Sequence, residues 1–343
     1  MINKKIALIT TTTKVPTALA AYRDLNKDVM FFIAGDRETP HQELKHFASS
    51  LGNTIYYSDI DQEKLGYRSS ELIVWNRVMR RNIALLEAIK YRVDIIITVD
   101  DDNMPMDKDY FNAFTRILTQ PFSGLGVTSN DGWFNIGEYL IPQIYHRGFP
   151  YERRHSKHDY IIRYVQGVKI GVAAGLWLGD PDIDAMERIT NRTRVNQITE
   201  VAQRGLCVAN NAFSPFNSQN TAYISELAPL CMVWVGVGRY DDIWASYVAQ
   251  RIMSTLDYHV CYGPPFVWQE RNLHNLWQNL RDEIFGMEYT IKFCDDLAKA
   301  DIGEGAVLDK LKRLYEYLKN KDYLPVEAYE LGKAWCEDIE RIT

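Results

Sequence analysis

The chain has 343 residues, 46% of them hydrophobic and 24% charged, so it can bury a sizeable core and has the polarity of an ordinary globular protein. Its 45 acids outnumber 39 lysines and arginines, and a formal net charge of −6 excludes a broad polyanion-binding face, though not a local basic patch. Five scattered cysteines (Cys207, Cys231, Cys261, Cys294 and Cys336) with no CxxC spacing argue against a disulfide framework or zinc site and for a reducing compartment. The start lacks the apolar run of a signal peptide and no stretch reads as a transmembrane span, so the expected location is cytoplasmic. The length suits two domains, or one large α/β domain with an appendage.

Lys5 to Thr13 reads as a buried strand ending in threonines, Thr17 to Leu25 as a helix, and Val29 to Ala34 as a second strand ending at Asp36. This alternation predicts a parallel sheet with right-handed crossovers. Asp36, at a strand end, is placed either to bond a ribose or base or to serve as a turn aspartate before the helix expected over Glu38 to Leu51. A short strand at Thr54 to Ser58 follows. Glu71 to Ala88 has apolar residues at helical spacing and is read as one continuous helix. Of its Arg77, Arg80 and Arg81, one or more could face a diphosphate, the alternative being a solvated basic face.

Val93 to Val99 is apolar and mostly β-branched, the pattern of a strand buried on both faces. It runs into Asp100, Asp101 and Asp102, then into Asn103-Met104-Pro105, which is read as ending the strand. Three adjacent carboxylates repel one another and are costly to desolvate, so a positive partner is expected. A hard divalent cation, Mg²⁺ or Mn²⁺, is the simplest one, and ligands of open α/β sheets bind beyond such strand ends. The alternative is a solvated turn capping the helix near Asp109 to Leu118.

Leu125 to Ser129 reads as a strand, Asn130 to Tyr139 as a loop. Tyr145 to Arg154 has the composition of a flexible phosphate or sugar clamp, or of a plain surface loop. Val168 to Leu178 reads as a strand rich in small residues, and the acidic turn Gly179 to Asp184 leads into a helix. Asn210 to Tyr223 reads as a polar loop whose amides suit sugar hydroxyls. Gly236 to Met253 is a glycine-rich turn followed by a helix that opens on Asp241 and Asp242. These two acids are placed either as caps favoured by the helix dipole or as a general base or acceptor clamp. Tyr258 to Tyr262 reads as a late strand before Pro264-Pro265, and from Asn272 the chain is read as mostly helical, with a break at Ile302 to Gly305. This tail is expected to pack on the sheet or on a second subunit. No GxGxxG follows the first strand, which argues against a dinucleotide-binding dehydrogenase.

Several blocks occur in the order found in one family. They are Val99-Asp100-Asp101-Asp102, Phe134-Asn135, Arg147-Gly148-Phe149-Pro150 with Arg154, Gly175-Leu176-Trp177-Leu178 with Pro181-Asp182 and Asp184-Ala185, and Gly238-Arg239-Tyr240-Asp241-Asp242 with Trp244-Ala245. Together they resemble the reversibly glycosylated polypeptides, which include the plant UDP-arabinopyranose mutases. The resemblance implies an α/β, GT-A-like nucleotide-sugar-binding fold with a mostly parallel central sheet. It implies a catalytic unit over residues 1–280 and a helical extension over 281–343 through which a homo-oligomer could form. Asp100, Asp101 and Asp102 would hold Mn²⁺ or Mg²⁺ against the diphosphate of a UDP-sugar donor, with Arg81 nearby. Thr10, Thr11, Thr12 and Asp36 would lie near the uridine. Arg147 matches the arginine that is reversibly glycosylated in the family, Arg154 a second arginine of that loop, and Asp241 and Asp242 an acidic pair facing sugar or acceptor. The chain departs from the family in carrying Gln269 where a late histidine stands, with His274 as a weak substitute, and in lacking family residues between Phe134 and Arg147. The leading expectation is a metal-dependent glycosyltransferase passing a sugar from a UDP-sugar to an unknown acceptor. The alternatives are a UDP-arabinopyranose mutase working through Arg147 and a non-catalytic sugar-nucleotide-binding subunit.

Overall fold

The computed structural model describes residues 4–154, 156, 158–271 and 275–343. Its strands are β1 (Ile6–Thr12), β2 (Met30–Gly35), β3 (Thr54–Tyr57), β4 (Ile95–Val99), β5 (Asn103–Pro105), β6 (Phe122–Ser129), β7 (Leu140–Ile141), β8 (Tyr160–Gly179), β9 (Gln197–Ile198), β10 (Leu206–Val208), β11 (Asn220–Ile224) and β12 (Tyr258–Gln269). The helices are α1 (Ala18–Leu25), α2 (His41–Leu51), α3 (Asp59–Lys64), α4 (Arg68–Leu72), α5 (Arg81–Lys90), α6 (Tyr110–Thr119), α7 (Ala185–Asn191), α8 (Glu200–Gln203), α9 (Asp241–Met253), α10 (Leu276–Lys299), α11 (Val307–Leu318) and α12 (Val326–Ile342).

The fold is α/β, built on one ten-stranded sheet in the order β3-β2-β1-β4-β11-β8-β6-β10-β12-β5. The β3-β2-β1-β4 half is parallel throughout, as the β-α-β alternation predicts. Beyond β4 the sheet turns mixed, because β11 runs antiparallel to both β4 and β8. The twenty-residue β8 pairs with β6 through its first half and with β11 and β12 through its second. β4 is buried at every position, which accounts for its unbroken apolar run. β7 and β9 form a separate two-stranded ribbon.

Helix α5 is buried at nine of its ten positions and so lacks a polar face. It lies between the β1–β2 face and α12 of the tail. Two of its buried polar side chains bond within the core: Asn82 exchanges two hydrogen bonds with the Val233 backbone, and Glu87 accepts from Tyr57 and Tyr67. The tail helices enter the same core as the sheet. Trp244 of α9 stacks on Phe293 of α10 at 4.1 Å, a contact worth about 0.5–1.5 kcal/mol beyond burial. The Trp335 indole of α12 donates to the Pro229 carbonyl. Among the described residues no helix is long and apolar enough to cross a membrane, and all five cysteines are free thiols.

Four expectations need correction. Residues 71–88 are not one helix: α4 stops at Leu72, the chain is irregular through Arg77, and Asn76 is left-handed at φ +59°. The cause is Asp36, whose carboxylate takes the Asn76 and Arg77 backbone N–H groups out of any helix. Asn103–Pro105 does form a strand, at the sheet edge, where Pro105 interrupts no central ladder. The late strand continues through Pro264 and Pro265 to Gln269, with a register shift between Gly263 and Val267. The polar segment from Asn210 is a loop only to Gln219, after which Asn220–Ile224 is β11.

Candidate active site

The carboxyl ends of β1, β2 and β4 open on a cleft of about 380 Å³. Its other walls are Ser218 and Gln219 leading into β11, Gln269 at the end of β12, and Asp241 and Asp242 at the start of α9. This is the strand-end position at which open α/β sheets bind ligands. A second cavity of about 300 Å³ lies at the other end of α9, but its one charged group, Arg251, is spent on the Leu297 and Ala300 carbonyls.

The three strand-end carboxylates differ in their partners. Asp100 is held by Arg81 at 2.5 Å, and Arg81 also donates to the Ser218 carbonyl and hydroxyl. Burial disfavours the Arg81 charge, but Asp100 outweighs it and raises its pKa. Asp101 accepts from the Thr12 hydroxyl at 2.5 Å and lies 3.6 Å from the Lys14 ammonium. Asp102 is pushed up to about 6, first by burial and then by Asp100 and Asp101, and burial also raises Asp101. The capping alternative fails, because β5 intervenes and Asp109 occupies the N-cap position of α6.

Among the described residues no three His, Cys, Asp or Glu side chains form a ready cation cage. Arg81 pairs with Asp100, and Thr12 and Lys14 engage Asp101. The donor chemistry offered by Asp100 to Asp102 and Thr12 is all oxygen. That fits a hard divalent cation taking further ligands from phosphate oxygens. The substitute ligand His274 lies outside the described residues.

The opposite wall is a buried ion knot. Asp182 is fully buried and accepts Arg147 Nε at 2.8 Å and Nη2 at 3.0 Å, Arg271 Nη2 at 3.1 Å and Asn217 Nδ2 at 2.8 Å. Arg147 Nη2 also reaches Asp242 at 3.0 Å, and Nη1 donates to the Arg239 carbonyl. Burial alone would raise the Asp182 carboxyl, but Arg147 and its other cationic neighbours hold it far below the ordinary carboxylate range. For Arg147, burial opposes the charge and Asp182 with Asp242 restores and strengthens it. Asp242 is held down by Arg147 against the burial that would raise it, and accepts from the Ser218 N–H and hydroxyl. Asp241 is pushed up to about 7 by burial and by the Asp242 charge. Of the two adjacent acids, Asp241 is thus the one whose protonation changes near neutrality, while Arg147 favours the ionised form of Asp242. Arg239 is placed by the C-terminal helix α10: Glu283 accepts its Nε at 2.9 Å. Gly238 must stay glycine, being left-handed at φ +60° with the Asp282 carbonyl where a Cβ would sit.

Of the residues expected here, Thr11, Thr12, Asp36, Arg81, Arg147, Asp241, Asp242 and the aspartate triplet all line the cleft. Thr10 does not; it is fully buried within β1. Arg154 does not either. Its guanidinium pairs with Asp184, donates to the Phe149 carbonyl and lies over Tyr151. Residues 145–154 are thus a largely buried brace and not a surface clamp. Asp36 is spent on the N–H groups of Arg37, Asn76 and Arg77, so it shapes the cleft wall. Arg80 is buried under Trp75 and bonds the Ser70 and Ile73 carbonyls, neither facing a ligand nor solvated. Arg77 is exposed at the cleft edge. Sequence reasoning missed Arg271, Ser218 and Gln219 as cleft residues, and Asp182 as the buried partner behind Arg147; Asp182 carried one signal, its place in the acidic turn after Pro181.

The model of the reversibly glycosylated polypeptide family matches residues 3–337. The chain belongs to the reversibly glycosylated polypeptide family. Among curated members it is 30% identical over 209 residues to a probable UDP-arabinopyranose mutase 1 of Pisum sativum, covering 58% of this chain and 53% of that protein. It is 26% identical over 257 residues to UDP-arabinopyranose mutase 1 of Oryza sativa subsp. japonica, covering 71% and 66%. It is 28% identical over 209 residues to UDP-arabinopyranose mutase 1 of Arabidopsis thaliana, covering 58% and 54%. The chain spans about half to two thirds of the length of these relatives. A mannosyltransferase from Pyrobaculum calidifontis, solved with GDP-Man and Mn²⁺, aligns at 9% identity and a TM-score of 0.37 over 98% of this chain and 86% of that one, a level that carries no inference.

Proposed function

We propose that this family member is a sugar-nucleotide mutase that interconverts the pyranose and furanose forms of a UDP-pentose, UDP-arabinopyranose being the first candidate. The relatives' names favour this reading over transfer to a separate acceptor, which the sequence motifs alone put first. The observation that carries it is the buried Arg147 held against Asp182 and Asp242 across the cleft from the aspartate triplet.

In this reading the diphosphate faces Arg77, Arg81 and Lys14, and the nucleoside lies along Thr11 to Thr13 and the wall shaped by Asp36. A bound Mn²⁺ or Mg²⁺, held at Asp102 with Asp101 beside it, would supply neutralisation of the charge that grows on the departing diphosphate. Arg147 captures the sugar. The C1–O bond breaks with its electron pair leaving on UDP, and a guanidinium nitrogen forms the new bond to C1. Because Arg147 is held charged, that attack must be coupled to loss of one N–H proton, and Asp242 at 3.0 Å from Nη2 is in place to take it. Ring opening then needs a proton delivered to the ring oxygen, and closure through a different hydroxyl releases one. Asp241, whose carboxyl is raised to about 7, is suited to do both. Attack of a UDP oxygen on C1 breaks the C1–N bond with its electron pair returning to the guanidine, which takes its proton back from Asp242 as the isomer is released.

The test is incubation of the chain with UDP-arabinopyranose and Mn²⁺ without any acceptor. Formation of UDP-arabinofuranose is expected. Release of UDP only when a separate acceptor is added would replace this reading with a transferase, and binding without turnover would replace it with a non-catalytic subunit.

A further inference from the structure

The antiparallel pairing of β12 with the edge strand β5 sets Gln269 directly opposite Asn103, the residue after the aspartate triplet. Both are buried, at 3% and 0% exposure. Both carry a side-chain carbonyl oxygen with no hydrogen-bond partner, Gln269 Oε1 and Asn103 Oδ1. Asn103 spends its amide nitrogen on the Gln219 carbonyl, which fixes which of its atoms remains free. Gln269 makes no side-chain hydrogen bond to any described residue, yet it lines the cleft that Asp100, Asp101 and Asp102 enter. Burying an amide oxygen without a partner is destabilising, and two such atoms at paired positions of one ladder call for a partner. That partner must be a donor or a cation, because both free atoms are acceptors. The aspartate triplet that precedes Asn103 and lines the same cleft as Gln269 supplies the negative charge that favours a cation over a water.

We propose that amide oxygens complete the cation site of this chain, with Gln269 Oε1 as a direct ligand beside Asp102 and Asn103 Oδ1 behind it. This rests on the reading of the cleft as a UDP-sugar site, since the diphosphate fills the remaining coordination positions. The consequence is a site made only of oxygens. Such a site favours hard Mg²⁺ and Mn²⁺, whereas an imidazole at the same position would raise the relative affinity for Co²⁺ and Zn²⁺. The residue is a permissive one to change, because its backbone carbonyl, not its side chain, holds the neighbouring Asp180 N–H.

The experiment titrates Mn²⁺ into the full chain, alone and with UDP, by calorimetry and by the electron paramagnetic resonance signal of free Mn²⁺. The parent and the variants Gln269→Ala and Gln269→His are compared, with thermal midpoints recorded for each. Gln269→Ala is expected to stay folded, as its thermal midpoint reports, while Mn²⁺ binding weakens by about tenfold or more and the Mn²⁺-dependent part of UDP binding weakens with it. Gln269→His is expected to recover Mn²⁺ binding and to shift preference toward Co²⁺, whose visible spectrum would report a nitrogen ligand. Mn²⁺ affinity of Gln269→Ala within twofold of the parent would overturn the assignment. So would a parent that binds UDP but no Mn²⁺, whereas a parent that binds neither would overturn the UDP-sugar reading as well.

Discussion

Replacing Asp182 by asparagine tests the ion knot most severely. The carboxylate is fully buried and receives four hydrogen bonds, three of them from two guanidinium groups. Asparagine keeps the shape but removes the charge and turns an amide NH₂ toward a donor. Breaking one partner of a buried pair costs about 3–5 kcal/mol, and with two arginines served the upper part of that range applies. Arg147→Met should cost less, because Asp182 retains Arg271 and Asn217, and its cost should shrink further in the Asp182→Asn background. Equilibrium urea unfolding at pH 7 measures all three. The pH dependence has a definite sign. The Asp182 carboxyl is depressed in the folded protein, so its contribution is complete above the unfolded carboxylate pKa and is lost as pH falls through the folded one. The gap between parent and Asp182→Asn should therefore be constant from pH 5 to 8 and narrow only below about pH 4. A loss of less than about 1 kcal/mol at pH 7 would refute the view that this carboxylate holds Arg147 in place.

Asp241 carries the opposite sign. Its carboxyl is raised to about 7, so the stability it contributes is present below the unfolded value and is lost as pH rises toward 7. Asp241→Asn should gain stability relative to the parent between pH 5 and pH 8 in thermal melts; an unchanged difference would show that Asp241 does not hold a proton. Asp36→Ala should free the Asn76 and Arg77 N–H groups and loosen the wall they form, weakening UDP binding by about tenfold, or about 1.4 kcal/mol, in calorimetry. An unaltered UDP affinity would show that this wall does not touch the nucleotide.

What could be read from the sequence was what short-range pattern encodes. The apolar run into Asp100 to Asp102 located the cleft, because a strand buried on both faces has no other way to end in charge. The parallel half of the sheet followed from the β-α-β alternation. The helix expected over residues 71–88 failed because a carboxylate forty residues earlier, Asp36, competes for its backbone, and periodicity does not register a long-range hydrogen bond. The burial of Arg80 and Arg154 was hidden for a related reason. Their composition resembles a basic surface, and only the fold brings Trp75 or Asp184 against them. In the sequence Asp182 is one residue of a motif and Gln269 a departure from one; their importance comes from what the ends of β8 and β12 bring beside them.

The most direct test of the central claim is the intact mass of the chain after brief exposure to UDP-arabinopyranose and Mn²⁺, followed by peptide mapping. The account predicts a pentose adduct on the peptide holding Arg147, absent in Arg147→Lys and discharged by added UDP. Ring interconversion at full rate with no adduct at any time, or undiminished in Arg147→Lys, would contradict it.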